Sequence, residues 1–575
     1  MPKPRLKTSA PEHATTKTRG SSGSSQFTFL AHLIVTCFNA LIMTAAIIKY
    51  HHSTMSINNN KCSTSTILLG EDLASSSFRM RLEKGKQRLT TKANLTAAAK
   101  PREPLASSLT TLQSKALPSS TKNDDRDRPY HIIFSTGCTP KQHWQSYVLF
   151  HSIMESNQPG LVTRIASGCD PEQTKIIQAL HVQQIVPMGK QGLHDSGKSR
   201  FHLHITPDFK VTVAEYQGRK NQIFHYLNKP YGVAHWMEHV LGYSTDRPAV
   251  KEHNDKIIML LDPDMIVLRP IINDFKQGPE IFRKRTTYPR IYKVTHGHPM
   301  AQEYAYQGKW YTEMKDIRHI LPPEDLPSPV QNMTLKQITE NYASGPPYLV
   351  TALDFYKIVV KWRQLVLPVQ AEFPDTIMSE MYAYSWAAAH LELPHQQIHS
   401  LVASDHTEEA FHLFSDHEAF PSNQMCRGNI PNSQKPHILH YCQRYKIGMY
   451  DIGKHRVPPQ FVGSSLDVAA ICAHPLMVEP PTDLATRYDF WIDPGSLQKT
   501  QFFAPKNGAF TKQEWKDRVT YLLCEMIAGL NRAARYFKQQ HCAAANVPAN
   551  MTMSLNLFDE LKVPPEVLTS DYNKQ

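Results

Sequence analysis

The stretch KIIMLLDPDMIVLRPI, Lys256 to Ile271, constrains the fold more than any other part of the chain. Ile257 to Leu261 form an apolar run of strand length, and the run resumes after Asp264. Proline cannot donate to a sheet ladder, so Pro263 marks the place where pairing stops. Asp262 and Asp264 therefore fall at or just past the carboxyl end of a buried strand. In open parallel α/β sheets, that edge binds ligands. Residues i and i+2 of an extended chain point the same way, with Cα atoms about 6.5 Å apart. Two carboxylates converging there repel each other unless a cation sits between or beside them. An oxygen-preferring divalent ion, Mn²⁺ or Mg²⁺, answers that repulsion, and its open positions suit diphosphate oxygens. The triplet alone says little, since Asp125-Arg126-Asp127 repeats it in a polar stretch. The competing reading of Asp262 and Asp264 is a turn pair or a helix cap.

The segments on either side predict the frame around this strand. YHIIFSTGC places Ile132, Ile133 and Phe134 in a short buried strand, and WQSYVLFHSIMES sets Tyr147, Phe150, His151 and Met154 at helical spacing. LVTRIASG reads as a second strand and PEQTKIIQALH as a second helix. NKPYGVAHWMEHVLGY predicts a third helix, with Asn228 as cap and Pro230 in the first turn. Its apolar face comprises Val233, Trp236, Met237, Val240 and Leu241. Strand, helix, strand, helix, strand predicts an α/β fold of Rossmann type, a sheet flanked by helices. Further on, ASGPPYLVTALDF reads as a loop feeding a short strand, with close backbone approach at Gly345 and Asp354 as a cap. Trp515, Val519, Leu522, Leu523 and Met526 predict a C-terminal packing helix.

The N-terminus has a different character. Phe27 to Ile48 is uncharged and close to the ~20 residues a helix needs to cross a bilayer. Lys3, Arg5, Lys7, Lys17 and Arg19 precede it against Glu12 alone, which predicts that residues 1–26 form a cytosolic basic tail. The length of the run, and KYHHSTMS after it, favour an uncleaved anchor at 27–48 over a cleaved signal peptide. Residues 49–128, rich in Ser, Thr, Lys and Ala, lack any sustained apolar period and read as a disordered luminal stem. Residues 129–575 are then the luminal domain of a single-pass type II protein. Much of the formal charge of +12 lies in the N-terminal tracts, with no aromatic-basic motif beside it, so no nucleic-acid partner is expected. Of nine cysteines, Cys37 lies inside the span, and the other eight are free to pair in an oxidising lumen with connectivity left open. Asn94, Asn332 and Asn550 begin Asn-X-Thr triplets on the luminal side, where glycosylation takes place.

Taken together, FSTGCTPKQHWQSYVLFHSIMESNQPGLVTRIASG, LNKPYGVAHWMEHV, IIMLLDPDMIVLRPI, SEMYAYSWAAAHLELPH and PHILHYCQRY resemble a known family. It is the plant and algal peptidyl-serine α-galactosyltransferase and hydroxyproline O-arabinosyltransferase family, and the likeness runs from about Tyr130 to Cys542. The resemblance implies a GT-A-like glycosyltransferase domain at 129–575 and a UDP-sugar donor. It also implies a metal-binding Asp-x-Asp at Asp262 and Asp264, and retention of anomeric configuration. It further implies a Golgi or endoplasmic reticulum membrane location, and a secreted protein acceptor rich in Pro, hydroxyproline or Ser. QPGLVTRIASG and LNKPYGVAHW are nearer the serine galactosyltransferases, and EMYAYSWAAA is nearer the arabinosyltransferases. The donor sugar therefore stays open between galactose and arabinose.

Four further residues are candidates for the site. His440 follows Ile438 and Leu439 at a predicted strand end, and a neutral imidazole suits Mn²⁺ as a third ligand; a structural histidine is the equal alternative. Lys229 in the first turn of its helix opposes the macrodipole, which makes sense beside an anion such as the donor diphosphate, against a solvated lysine. Arg164 is a second donor-binding candidate by resemblance, against a surface salt bridge. Glu380, on the helix predicted for EFPDTIMSEMYAYSWAAAH, is the candidate catalytic acid beneath the sugar together with Asp264, against a plain surface glutamate. Tyr382, Tyr384 and Trp386 on that helix suit either sugar stacking or core packing. A competing reading of the whole chain is a non-catalytic luminal glycan- or peptide-binding protein that kept the fold.

Overall fold

The computed structural model of the chain describes residues 130–554, except 192–197, 217–218, 225–226, 246–250, 305, 307, 314–320, 374–377, 405–421, 427–429, 431–434, 448–449, 455–456, 459, 464 and 488–511. The expected tail, anchor and stem, with Asn94, lie outside the described residues. Among the described residues no helix is long and apolar enough to cross a membrane.

Alternation along the first strand, β1 (Tyr130–Thr136), divides the core into two. Ile132 and Phe134 pack with Trp144 and Phe150 of α1 (Pro140–Glu155), whereas Ile133 faces the opposite layer. β2 (Leu161–Ser167) follows, then α2 (Pro171–Leu180), whose Asp170 forms a capping box with Gln173. A strand that the sequence reading did not foresee, β3 (Phe201–Thr206), lies beside β2. Its FHLHIT pattern is half-polar because it is an edge strand of the sheet. α3 (Asn228–Val240) buries Val233, Trp236 and Met237 as expected, but Val240 faces solvent. Asn228 does not cap this helix. Its side chain accepts from the Phe209 amide and donates to Asp208, which ties the helix start to the preceding loop.

β4 (Ile257–Leu261) is buried at every position, and β5 (Met265–Val267) resumes after the turn. β6 (Met300–Glu303) precedes β7 (Ser344–Thr351). The latter is a fully buried eight-residue strand rather than the loop and short strand expected from its glycine and prolines. α4 (Ala352–Glu372), α5 (Ser379–His390), β8 (Gln396–Ile398), β9 (Val402–Ala403) and β10 (Ile438–His440) follow. The principal sheet runs β8-β6-β7-β4-β1-β2-β3. β4, β1, β2 and β3 are mutually parallel, and β7 runs antiparallel to both β4 and β6. This is the predicted α/β fold, a mixed sheet flanked by helices. A second sheet, β9-β10-β5, is antiparallel at β10 and β5, with His440 opposite Met265. That pairing brings residues far apart in sequence to the end of β4.

A hairpin, β11 (Arg444–Ile447) and β12 (Tyr450–Gly453), and the long C-terminal helix α6 (Lys512–His541) complete the part that positions the site. α6 packs against α1 as the C-terminal pattern predicted, and disulfides Cys426–Cys524 and Cys472–Cys542 tether it to the preceding chain. Cys138–Cys169 joins the loops after β1 and β2, and Cys442 is a free thiol.

Candidate active site

The turn at Asp262-Pro263-Asp264 forms because β4 ends against a residue that cannot pair, and β5 then leaves for the second sheet. The two aspartates are therefore not adjacent rungs of one extended strand, as the i, i+2 spacing suggested. They flank a turn, and each carboxylate meets its own cation. Asp262 Oδ1 accepts from Lys229 Nζ at 2.8 Å, and Asp264 Oδ2 accepts from Lys454 Nζ at 2.6 Å. Even so, one oxygen from each aspartate and one ring nitrogen of His440 lie within 4.8 Å of one another. The His440 Nε2 to Asp264 Oδ1 distance is 3.3 Å. The turn is pinned from the other side by the Tyr441 amide, which donates to the Asp264 carbonyl at 3.0 Å.

Burial sets the electrostatics here. Asp264 is 5% exposed and His440 6%. Burial alone disfavours ionisation of Asp264, yet His440 and Lys454 outweigh it and hold the carboxyl far below the usual range. His440 is the mirror case: burial opposes its charge, but Asp264 and then Cys442 push its pKa well above the ordinary value. Lys229 also reaches Glu380 Oε2 at 3.4 Å, so it bridges Asp262 and Glu380 across the start of α3. The anions that offset its unfavourable place near a helix N-terminus are thus carboxylates of the protein itself. Burial, the largest cause, raises the Glu380 pKa; Asp262 adds to the shift and Lys229 opposes it. Glu380 Oε1 is buried and has no hydrogen-bond partner among the described residues.

Five of the sequence-predicted site residues thus converge: Asp262, Asp264, His440, Lys229 and Glu380. Arg164 belongs to a different set of contacts. It is buried on β2, donating from Nε to Thr136 Oγ1 at 2.9 Å and from Nη2 to the Gly137 carbonyl at 3.2 Å. Nη2 also lies 3.1 Å from His143 Nδ1. Burial lowers the Arg164 pKa to about 9, which leaves it charged at neutral pH, and lowers that of His143 to about 3, with Arg164 adding. A neutral His143 therefore accepts from the guanidinium. This is not the exposed salt bridge weighed against donor binding, and among the described residues no carboxylate pairs with Arg164. Tyr382, Tyr384 and Trp386 are buried in the core, which corrects the sugar-stacking alternative. Asp354 accepts from the Gly297 amide, Thr351 Oγ1 and Lys357 Nζ in the first turn of α4, whose N-cap Thr351 makes no side-chain capping bond, so the expected cap is replaced by a tie to the Gly297 loop. Asn332 is exposed, whereas the Asn550 side chain donates to the Ala473 carbonyl and accepts from Thr552.

Sequence reading missed Lys454 altogether. It lies 190 positions from its partner Asp264 and follows a hairpin with no motif of its own. Lys141, in the first turn of α1, stands in the same field. Burial lowers its pKa, Lys454 lowers it further, and Asp264 acts in the opposite direction.

The donor set fits a divalent ion. Two carboxylates and an imidazole are the mixed O and N ligands that suit Mn²⁺, and the lysines at Asp262 Oδ1 and Asp264 Oδ2 leave each aspartate a second oxygen.

No family model matches the chain. Over 270 residues it is 25% identical to the peptidyl serine alpha-galactosyltransferase of Arabidopsis thaliana, covering 47% of this chain and 27% of that protein. The chain thus spans about a quarter of the length of that curated protein, of which it is a distant relative. Solved structures that align include the apo-form glycosyltransferase GlyE of Streptococcus pneumoniae TIGR4, at 10% identity and TM-score 0.27 over 55% of each chain. The galactosyltransferase LgtC, in complex with donor and acceptor sugar analogs, aligns at 9% identity and TM-score 0.26, over 54% of this chain and 87% of its own. Scores of that size are too low to equate two folds.

Proposed function

We propose that the chain is a GT-A-type glycosyltransferase that moves a sugar from a UDP-sugar to a hydroxyl of a secreted protein, serine or hydroxyproline in a Pro- or Ser-rich segment. The observation that carries this reading is the meeting of Asp262, Asp264 and His440 at the carboxyl edge of the parallel strands. The distant relationship to a peptidyl serine galactosyltransferase supports the reaction class and the protein acceptor. In this reading Asp262, Asp264 and His440 hold Mn²⁺ or Mg²⁺. When bound, the ion neutralises charge on the diphosphate leaving group.

The chain's own residues do the rest. Lys454 places an ammonium group beside Asp264 and Lys141 stands within the same field, where the two attract the donor's phosphates. A divalent ion in place of the His440 proton raises the charge of the site by one, which favours an anionic ligand. Lys229 holds Asp262 and Glu380 in fixed relation. Glu380 Oε1, buried and unpartnered, is an acceptor waiting for a hydroxyl, and a sugar hydroxyl supplies one. Transfer breaks the bond from the sugar's C1 to the diphosphate oxygen, with the electron pair leaving on UDP. The acceptor oxygen bonds to C1 and its proton is released; the anomeric configuration is retained. Arg164, buried behind the β1 end with no carboxylate partner among the described residues, is assigned to the nucleotide side. Anchoring by residues 27–48 in a Golgi or endoplasmic reticulum membrane is part of the same proposal.

UDP release separates this reading from a binding protein that kept the fold. UDP-galactose and UDP-arabinofuranose are incubated with the chain, Mn²⁺ and serine or hydroxyproline peptides. Release that requires both peptide and metal supports transfer. Peptide binding without release under every donor would mean a binding protein instead.

A further inference from the structure

Tyr304 follows β6 directly, and its amide donates to the Ala343 carbonyl at 3.0 Å, which lays the residue beside the start of β7. Its hydroxyl lies 3.5 Å from His440 Nδ1. The ring reaches that place by covering Gly345, where a Cβ would overlap its Cγ, Cδ2 and Cε2 atoms. Gly345 does not have a positive φ, so backbone conformation does not call for glycine there. The space does.

We infer that Tyr304, seated on Gly345, is a positioning residue that commits His440 Nε2 to the divalent cation. This rests on the metal reading above. A neutral imidazole carries one proton, and a ring that ligates through Nε2 must carry it on Nδ1. The Tyr304 oxygen is the acceptor placed for that Nδ1–H, while Nε2 points toward Asp264 Oδ1. Outer partners of this kind set the tautomer and the ring orientation of a ligating histidine. The Cys442 thiol hydrogen-bonds the imidazole too, from the chain just past β10, and is a second outer partner; Tyr304 is the one that couples the histidine to the principal sheet. The glycine at the start of β7 and the histidine at the end of β10 are therefore two halves of one device.

The test is Mn²⁺ binding to the full chain in the presence of UDP, read by electron paramagnetic resonance of free and bound ion. Pulsed spectra report ¹⁴N coupling from His440. Tyr304→Phe keeps the ring and removes the oxygen. It is expected to weaken Mn²⁺ binding about ten-fold or more and to diminish the ¹⁴N coupling, with an unchanged melting temperature. Gly345→Ala is expected to do the same by displacing the ring, and the double variant to be no worse than either alone, because both act through one oxygen. If Gly345→Ala fails to fold, Tyr304→Phe decides alone. Wild-type affinity and ¹⁴N coupling in Tyr304→Phe, with His440→Ala weakened, would overturn this inference and leave the metal reading standing. Failure of the folded wild-type chain to bind Mn²⁺ would remove both.

Discussion

Acid should loosen the helix that carries Glu380, and the group responsible is His395. Its imidazole is fully buried, with Nδ1 at 3.0 Å from the Leu393 carbonyl and Nε2 at 3.0 Å from the Tyr384 hydroxyl. A neutral ring satisfies both contacts, donating from Nδ1 and accepting at Nε2. Tyr384 lies on α5 one turn beyond Glu380, packed against Tyr348 and Trp362. Burial is the main cause that depresses the His395 pKa from 6.5 to about 3; the Leu393 carbonyl opposes and Arg285 adds. A folded value below the unfolded one means stability that is fully present above pH 6.5 and is lost as pH falls toward 3. Linkage over that interval removes about 2 kcal/mol by pH 5 and nearly 5, roughly, once both states are protonated. Urea denaturation at pH 7.5 and pH 5 measures it, comparing the wild-type chain with His395→Gln, which keeps an acceptor for Tyr384. Other buried histidines, such as His181, contribute equally to both proteins and cancel in the difference. The wild-type chain should lose about 2 kcal/mol more than the variant. Equal losses would refute the assignment.

The remaining predictions follow from single contacts. Asp262→Asn or Asp264→Asn should abolish UDP release while the circular dichroism spectrum stays that of the parent, and chelation of the wild-type chain should do the same reversibly. Replacing Cys472 and Cys542 by serine opens a loop of sequence separation 70. That should cost about 4 kcal/mol by loop entropy, seen as a lower melting temperature without loss of Mn²⁺ binding. Trp362→Phe removes the indole donor from the Glu380 carbonyl, a 2.9 Å bond, and should cost about 1–3 kcal/mol for the buried acceptor left behind. If Glu380 depends on that anchor, UDP release falls more steeply than stability does.

The parts of this site that were legible in the chain were the ones written locally. Asp262 and Asp264 stand out because charge interrupts a run of five apolar residues, and β1, α1, β2 and α3 announce themselves through period and buried bulk. β3 was legible and was passed over: FHLHIT alternates, with Phe201, Leu203 and Ile205 on one face and His202, His204 and Thr206 on the other. β7 was shortened because Gly345, Pro346 and Pro347 are strand breakers by propensity, yet tertiary pairing with β4 and β6 overrides that preference. Lys454 could not be found by any local rule. Its role exists only because β10 pairs with β5 and carries the following hairpin over Asp264. Lys229 was seen for a sound reason, a cation near a helix N-terminus, and the structure pairs it with Asp262 and Glu380. The sequence shows that an anion is wanted but not which chain segment supplies it.

Diffraction from crystals grown with Mn²⁺ and UDP, recorded where manganese scatters anomalously, tests the account most directly. It predicts one strong anomalous peak bounded by the side chains of Asp262, Asp264 and His440, with the diphosphate on its open side next to Lys454. Ordered UDP lying elsewhere, or a triad that stays metal-free at saturating Mn²⁺ while Lys229 and Lys454 keep both carboxylates, would contradict it.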